Sequence, residues 1–233
     1  MLKNNSILYK ILILLILVFT CSIAFMLLNL AIVYIAGLLN VNVITNINFL
    51  KTLQVVYQLL AFLLPVLIFY KISGYSIVND LGFKREENIK VISFIILLYV
   101  VTIPLINWTT EVNSNIALPN FLGNLKDWFL EQERQATELT FKFLSTNNIL
   151  GVIANILVLA LVPAVTEELL FRGCIQRILT ENVKLPHLGV IVSALIFSFA
   201  HMQFDGFIPR FILGLILGYI FFYTRNIKLS MLF

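Results

Sequence analysis

Ionisable residues stand out in this 233-residue chain because they are rare among its long apolar runs. Glu167 and Glu168 end one apolar run just after Pro163, and His201 ends the next. An ionisable group inside a membrane is costly and needs a partner or a wet cavity, so such groups commonly mark proton, ion or substrate chemistry. Pro163 predicts a kink that opens room for water. The pattern therefore predicts a carboxylate–imidazole site within a helix bundle.

The two acids have different predicted surroundings. Glu168 precedes Arg172 by four residues, and an acid four residues before a base can pair with it along a helix. Glu167 lies about 100° around the helix from Glu168 and cannot share that pair. We therefore predict that Glu167 is the unpaired acid. A simple ion pair at a helix end is an equally good interpretation of Glu168 and Arg172.

A second stripe of residues presents the imidazole. Ser193, Phe197 and His201 follow one another at intervals of four and share one helix face. If the chain reverses near Lys184–Pro186, Glu167 and His201 each lie about 17 residues, or roughly 25 Å of helix, from the turn. We therefore predict that the carboxylate and the imidazole lie at one depth. Taken alone, His201 would be interpreted as an interhelical hydrogen bond that holds the bundle together.

The elements that position these residues are predicted to be transmembrane helices. Hydrophobic residues make up 60% of the chain and charged residues only 12%, against roughly 25% charged in soluble domains. The apolar blocks are bounded by charges and are long enough to cross a bilayer. They do not alternate with polar residues, which favours helices over a barrel. The predicted fold is an all-α, polytopic transmembrane helix bundle.

The apolar blocks predict about six spanning helices. They lie within Ile7–Leu39, at Thr52–Tyr70 and Val91–Trp108, from Asn148 onward, and at His187–Phe204 and Phe207–Tyr223. The long loop Thr109–Asn147 predicts an amphipathic helix on the membrane surface or over the bundle. We divide the chain into residues 1–147, with three spans and the amphipathic segment, and residues 148–233, the core that carries the chemistry.

The positive charges predict the orientation. The net charge is +4, but Lys and Arg stand singly at the ends of apolar blocks, which is typical of topology signals and not of a nucleic-acid-binding face. If the spans alternate, basic residues from Lys3 and Lys10 to Arg225 and Lys228 fall on one side, which the positive-inside rule makes the cytoplasm. We predict a multi-pass protein of a bacterial cytoplasmic membrane with a cytoplasmic amino terminus. Its partner is the lipid bilayer and not nucleic acid.

Two motifs resemble those of a known family. Glu167-Glu168-x-x-x-Arg172 and Phe197-x-x-x-His201, in this order and separation, resemble the motifs of the CAAX-protease and bacteriocin-processing (CPBP, or Abi) intramembrane peptidases. The likeness covers the chain from about residue 148 to its end, while the first three spans match only in being apolar. The resemblance implies an intramembrane endopeptidase that acts on a peptide or protein substrate, either lipidated or a leader peptide.

The resemblance also implies roles for the motif residues. Glu167 would be the general base that activates water toward a peptide carbonyl, and His201 would be its partner. Glu168 and Arg172 would orient the helix, and Phe197 would shape the pocket. The family is often labelled metal-dependent, which implies a divalent metal such as zinc. Glu167 and His201 are the ligands on offer, whereas a hydrolytic metal site normally has three protein ligands.

One family motif has no match in this chain. A later His-x-x-x-Asn pair stabilises the oxyanion in the family, and the context of His187 does not match it. Loss of an oxyanion stabiliser costs a hydrolase on the order of a hundred- to a thousandfold in rate. Either the chain is part of a longer protein or it is an impaired member of the family. Because residues 225–233 resemble a cytoplasmic turn followed by the start of another apolar run, we expect the longer protein.

Two other functions compete with the peptidase. A non-catalytic membrane protein, such as a bacteriocin self-immunity or scaffolding factor, would use the same residues for packing only. A proton-coupled carrier would use Glu167 and His201 as a relay. Carriers usually show halves related by a repeat, and this sequence shows no such repeat.

Overall fold

The computed structural model describes residues 2, 5–43, 45–116, 123–146, 148–181 and 184–233. Lys3, used above for orientation, and Asn147, the predicted end of the long loop, lie outside these residues. The described residues form helices with no strand among them, which confirms the all-α class. The chain makes two compact units. The first unit is Met1–Ile77 with Phe141–Leu170, and the second is Val78–Thr140 with Phe171–Phe233. The division at residue 147 stays a prediction.

Apart from the single turn Ile77–Asp80, the described residues contain eight helices, two of which include π-helical turns. They are α1 (Ile7–Leu38), α2 (Ile47–Ser73), α3 (Ile89–Ser114), α4 (Gly123–Leu144), α5 (Ile149–Thr180), α6 (Pro186–Ala200), α7 (Phe207–Thr224) and α8 (Ile227–Leu232). Five of them, α1, α2, α3, α5 and α7, are long and apolar enough to cross a membrane. These five match five of the predicted spans.

The remaining predicted span, His187–Phe204, is shorter than expected. Helix α6 has 15 residues, or about 22 Å of helix, against a hydrocarbon core of roughly 30 Å. It starts at Pro186, whose fixed φ and missing N–H suit a first helical position. It ends before His201, which is the capping residue. The histidine is therefore placed at the end of a helix and not within one.

The predicted amphipathic segment is a helix. α4 carries ion pairs between Arg134 and the two glutamates one turn before and after it, Glu131 and Glu138. Such pairs support a solvent-facing helix surface. The preceding helix, α3, continues to Ser114 and so extends beyond the predicted end at Trp108. The connection between the third and fourth spans is shorter and more helical than the sequence indicated.

In the first unit, two widened turns follow from prolines. A π-helical turn, Gln58–Leu63, precedes Pro65 in α2, and another, Ile156–Leu161, precedes Pro163 in α5. Proline has no N–H and its ring clashes with the carbonyl four residues earlier, so the preceding turn widens. The widened turn of α2 packs against Val162–Glu168 of α5. Both distortions therefore lie beside the acidic motif.

In the second unit, α6 and α7 pack closely because small residues face their neighbours. A Cβ atom at Gly214 would lie 3.1 Å from the Cβ of Ala194, so little room exists between α7 and α6. A Cβ at Gly189 would lie 2.5 Å from the carbonyl oxygen of Leu179 near the end of α5. Helix α7 also packs against α3. Small side chains at helix crossings are how membrane helices gain van der Waals contact.

Candidate active site

Glu167 lies on α5 in the first unit and has an amide partner on α2. Its Oε1 accepts a hydrogen bond from Gln58 Nε2 at 3.4 Å. The adjacent Thr166 donates its hydroxyl to Gln58 Oε1 at 2.8 Å. The prediction that Glu167 is unpaired is therefore wrong. It considered only groups on the same helix, whereas the partner comes from another span.

The two acids of the motif differ in access to solvent. Glu168 is only 4% exposed, and Thr166 on the other side of Glu167 is 2% exposed. Glu167 itself is partly exposed. Successive residues of a helix point about 100° apart, so one side chain can enter the core while its neighbour stays near the periphery. Of the two carboxylates, Glu167 is the one that water reaches more readily.

Arg172 is buried in the second unit and is held by groups of α6 and α7. Its Nη2 donates to the carbonyl oxygen of Gly214 at 3.3 Å. Its guanidinium carbon lies 4.6 Å from the centre of the Phe197 ring. A desolvated cation over an aromatic face is stabilised by the ring quadrupole. Arg172 thus ties the end of α5 to both neighbouring helices, and its pairing with Glu168 stays a prediction.

His201 follows the last residue of α6 and is partly exposed. Its Nδ1 lies 2.9 Å from the carbonyl oxygen of Phe197. A carbonyl oxygen only accepts, so Nδ1 carries a proton and Nε2 of the neutral ring is an acceptor. The imidazole can therefore take up a proton at Nε2. Glu167 belongs to the first unit and His201 to the second, and their common depth stays a prediction.

Phe197 sets the surroundings of the imidazole. Its ring centre lies 5.0 Å from that of His201 and 5.1 Å from that of Phe171, both edge-to-face. Arg172 covers the same ring. One turn earlier, Ser193 donates its hydroxyl to the Phe171 carbonyl at 3.3 Å. The predicted stripe on α6 therefore faces the end of α5, and Phe197 is packed on several sides beside His201.

The turn between α6 and α7, which contains His201, is stabilised by hydrogen bonds from a residue of α3. Asn113 is buried, and its Nδ2 donates to the Phe204 carbonyl at 2.7 Å while its Oδ1 accepts from the Ile208 N–H at 2.8 Å. Ser198 adds a hydrogen bond from its hydroxyl to the Phe207 carbonyl at 2.6 Å. These bonds satisfy main-chain groups that the turn between α6 and α7 leaves open. The turn is therefore stabilised by hydrogen bonds from side chains of both α3 and α6.

Sequence reasoning missed Gln58 and Asn113. Gln58 had a usable signal, because an amide within a predicted span is a polar group that needs a partner inside the protein. Asn113 had none, because it falls in the segment predicted to be the long loop Thr109–Asn147. Both residues bind groups about 90 to 110 positions away in the chain, as the separations of 109 and 91 residues show.

The donor set does not fit a hydrolytic metal. Among the residues that the structure describes, no group of three or more His, Cys, Asp and Glu side chains is placed to hold an ion. A catalytic zinc site normally uses three protein ligands and an open position. Glu167 and His201 are two, so no chemical step is assigned to a metal here.

The carboxyl-terminal part of the chain matches a known family. Residues 149–233 match the family model described as Type II CAAX prenyl endopeptidase Rce1-like. The match includes both motifs, from Glu167 to Arg172 and from Phe197 to His201. No curated protein and no solved structure was found to match the chain.

The match confirms the family resemblance. Residues 149–233 match an Rce1-like domain, which is consistent with a CPBP family intramembrane peptidase. The match supports a CAAX-type endopeptidase at the level of the family, and the five membrane-length helices are consistent with an integral membrane protein.

Proposed function

We propose that this protein is an intramembrane endopeptidase that hydrolyses a peptide bond near the membrane with a water activated by Glu167. The observation that carries the proposal is a partly exposed carboxylate within a membrane-length helix, inside the family-matched segment and beside a buried amide. A carboxylate kept in such a place at a cost in desolvation commonly has a chemical role.

The chemistry follows that of a general base. As the water oxygen bonds to the carbonyl carbon of the substrate, one water proton passes to the Glu167 carboxylate and the carbonyl oxygen takes the negative charge. When the tetrahedral intermediate collapses, the carbon–nitrogen bond breaks and Glu167 returns the proton to the leaving nitrogen. His201 acts on the water or the intermediate through Nε2, because Nδ1 is engaged with the Phe197 carbonyl.

The remaining motif residues have supporting roles in this proposal. Glu168 and Arg172 are both buried and orient α5 instead of meeting the substrate. Phe197 fixes the ring of His201 by edge-to-face contact and shapes the site. The charged motif thus divides into one acid for chemistry and one acid and one base for structure.

The family match does not specify the substrate or the membrane, and we propose both. We propose a peptide or protein substrate that is either lipidated or a leader peptide, presented from the bilayer. The basic residues at the ends of the apolar blocks support a bacterial cytoplasmic membrane with the amino terminus in the cytoplasm. Cysteine scanning with a membrane-impermeant reagent at Ser6 and Asn115 tests this orientation, because the two positions would react from opposite sides.

The test of the enzymatic proposal compares the two adjacent acids. The purified protein is reconstituted in lipid vesicles with a quenched fluorescent peptide that ends in a farnesylated CAAX sequence, and with the same peptide lacking the lipid. We expect cleavage by the wild type, loss of at least about a thousandfold in Glu167→Ala, and near-normal cleavage in Glu168→Gln, provided that Glu168→Gln folds.

Other results would overturn the proposal. Cleavage that survives Glu167→Ala would remove the general base from the mechanism. A folded wild type that cleaves neither peptide would favour the non-catalytic interpretation, in which the motif serves packing. Cleavage of both peptides would retain the endopeptidase and exclude a requirement for the lipid.

A further inference from the structure

We propose that Gln58 is a positioning residue for Glu167. Its side-chain amide orients the Glu167 carboxyl group and can form a hydrogen bond with it in both the ionised and the protonated state. The inference rests on the proposed function, in which Glu167 is the general base that accepts the proton. Gln58 lies on α2, far from the family-matched residues 149–233 in the chain, and no motif contains it.

The geometry places Gln58 between two neighbouring residues of α5. The side chain is 4% exposed, and its two amide atoms bind different partners. Oε1 lies 2.8 Å from the Thr166 hydroxyl and Nε2 lies 3.4 Å from Glu167 Oε1. Because the hydrogen bond to Thr166 is shorter than the one to Glu167, Thr166 holds the amide in place more tightly than Glu167 does.

The location depends on the widened turn of α2. Gln58 is the first residue of the π-helical turn Gln58–Leu63, and this turn packs against Val162–Glu168 of α5. π-helical turns insert one extra residue into a helix and are frequent at functional sites. The turn that Pro65 imposes therefore delivers a polar side chain from a largely apolar helix to the acid.

Thr166 can serve either orientation of the amide. Its hydroxyl oxygen lies 2.8 Å from Gln58 Oε1 and 2.9 Å from the Val162 carbonyl oxygen, and the hydroxyl has one proton to give. When the proton points to Gln58 Oε1, Nε2 faces Glu167. When the proton points to Val162, the hydroxyl oxygen can accept from Nε2, and the flipped amide turns Oε1 toward Glu167.

The two orientations suit the two states of the acid. A carboxylate only accepts hydrogen bonds, so it needs Nε2 of Gln58. A carboxylic acid has a proton to donate, so it can bind Oε1. A general base passes through both states in one turnover. Gln58 and Thr166 together can offer the acid a hydrogen-bond partner in each state, which a main-chain carbonyl or a lysine in place of Gln58 could not do.

The test uses a variant that keeps the shape of Gln58 and removes its polarity, with a matched control. Gln58→Met is compared with Gln176→Met, because Gln176 is also buried and donates to the Gly218 carbonyl in the second unit. Both variants lose one buried amide, and both are expected to lose stability. Only Gln58→Met changes the surroundings of Glu167.

The first readout is spectroscopic and needs no activity. The protein is labelled with isotope-labelled glutamate. The infrared carboxyl band that disappears in Glu167→Gln is then assigned to Glu167. We expect Gln58→Met to shift this band and Gln176→Met to leave it in place. The second readout is kinetic: in Gln58→Met, kcat falls about tenfold with KM unchanged, because the lost hydrogen bond aligns the base and not the substrate.

Thr166→Val provides an independent test if Gln58→Met does not fold. It removes the hydroxyl that anchors the amide, and we expect a smaller shift of the same band and a smaller fall in kcat. An unshifted Glu167 band in Thr166→Val or in folded Gln58→Met would overturn the inference. So would equal effects of Gln58→Met and Gln176→Met on the band or on kcat.

These outcomes can be told apart from failure of the proposed function. If Glu167→Ala retains peptidase activity while Gln58→Met shifts the Glu167 band, the contact exists but does not serve catalysis. If Glu167→Ala abolishes activity and Gln58→Met matches the control, the proposed function stands and the positioning role does not.

Discussion

Gln58 in the first unit and several buried polar side chains in the second unit bind different kinds of partner. In the first unit, Gln58 binds other side chains, Thr166 and Glu167. In the second unit, several of the buried polar side chains bind main-chain carbonyls. Arg172 binds Gly214, Gln176 binds Gly218, Ser193 binds Phe171, and Ser198 binds Phe207.

The kind of partner affects what a buried polar side chain can do. A main-chain carbonyl oxygen only accepts hydrogen bonds, so a side chain that binds it must act as the donor. A carboxylate, an amide and a hydroxyl can exchange donor and acceptor roles among themselves. Gln58 and Thr166 therefore suit the proton chemistry proposed for Glu167, whereas the bonds to main-chain carbonyls stabilise the packing of α6 and α7 in the second unit.

The largest effect on stability is expected from Arg172→Met, which tests whether the second unit is a scaffold. The variant loses a charged hydrogen bond to Gly214 and the contact with the Phe197 ring, together worth about 3 kcal/mol. Denaturation of the purified protein in detergent measures the change in the free energy of unfolding. Arg134→Met on the exposed surface of α4 is the control, with an expected change under about 0.5 kcal/mol. Similar values for the two variants would contradict a structural role for Arg172.

A second prediction concerns the close packing of α6 in the second unit. Gly189→Ala would place a Cβ atom 2.5 Å from the Leu179 carbonyl oxygen, so the two helices must separate. Overpacking of this kind costs about 2 kcal/mol. Gly37→Ala in α1 is the matched control, because its Cβ would have no atom within 4 Å. Thermal unfolding of both variants checks the prediction, and a Gly189→Ala protein as stable as Gly37→Ala would contradict it.

The third prediction tests whether Asn113 stabilises the turn between α6 and α7, which contains His201. Asn113→Leu leaves the Phe204 carbonyl and the Ile208 N–H without their partner, and we expect a loss of about 2 kcal/mol. Hydrogen exchange measured by mass spectrometry should show faster exchange in residues 201–208. Asn115→Leu, two residues further on and exposed, serves as the control. Unchanged exchange in Asn113→Leu would mean that the turn keeps its shape without the asparagine.

The smallest effect is expected at Glu133, which lies outside the spanning helices. Burial raises the pKa of Glu133 above its ordinary value of 4.5, and the charge of Asp205 raises it further. The folded state therefore holds this proton more tightly than the unfolded state does, and stability falls as the pH rises through 4.5 toward the raised pKa. We expect Glu133→Gln to be more stable than the wild type at neutral pH and to lose that advantage below about pH 4. An advantage that persists in acid would point to packing instead of ionisation.

The sequence predicted the parts of this protein that depend on local pattern. Five of the spanning helices follow from apolar runs of membrane length, because hydrocarbon excludes charges and unpaired main-chain groups. The stripe from Ser193 to His201 follows from helical spacing. The length of α6 did not follow, because the span was predicted to continue past His201 to Phe204, whereas the helix stops at Ala200.

The class of the protein, most of its spans and the two motifs can be predicted from the chain alone, since each of these is encoded by residues close together in the chain. The hydrogen bond of Gln58 to Glu167, the hydrogen bonds of Asn113 to the turn after α6 and the position of Arg172 over Phe197 appear only in the folded molecule. Hydropathy and helical spacing describe one helix at a time. A contact between helices depends on how their faces are rotated and how closely they approach, which no pattern within one helix encodes.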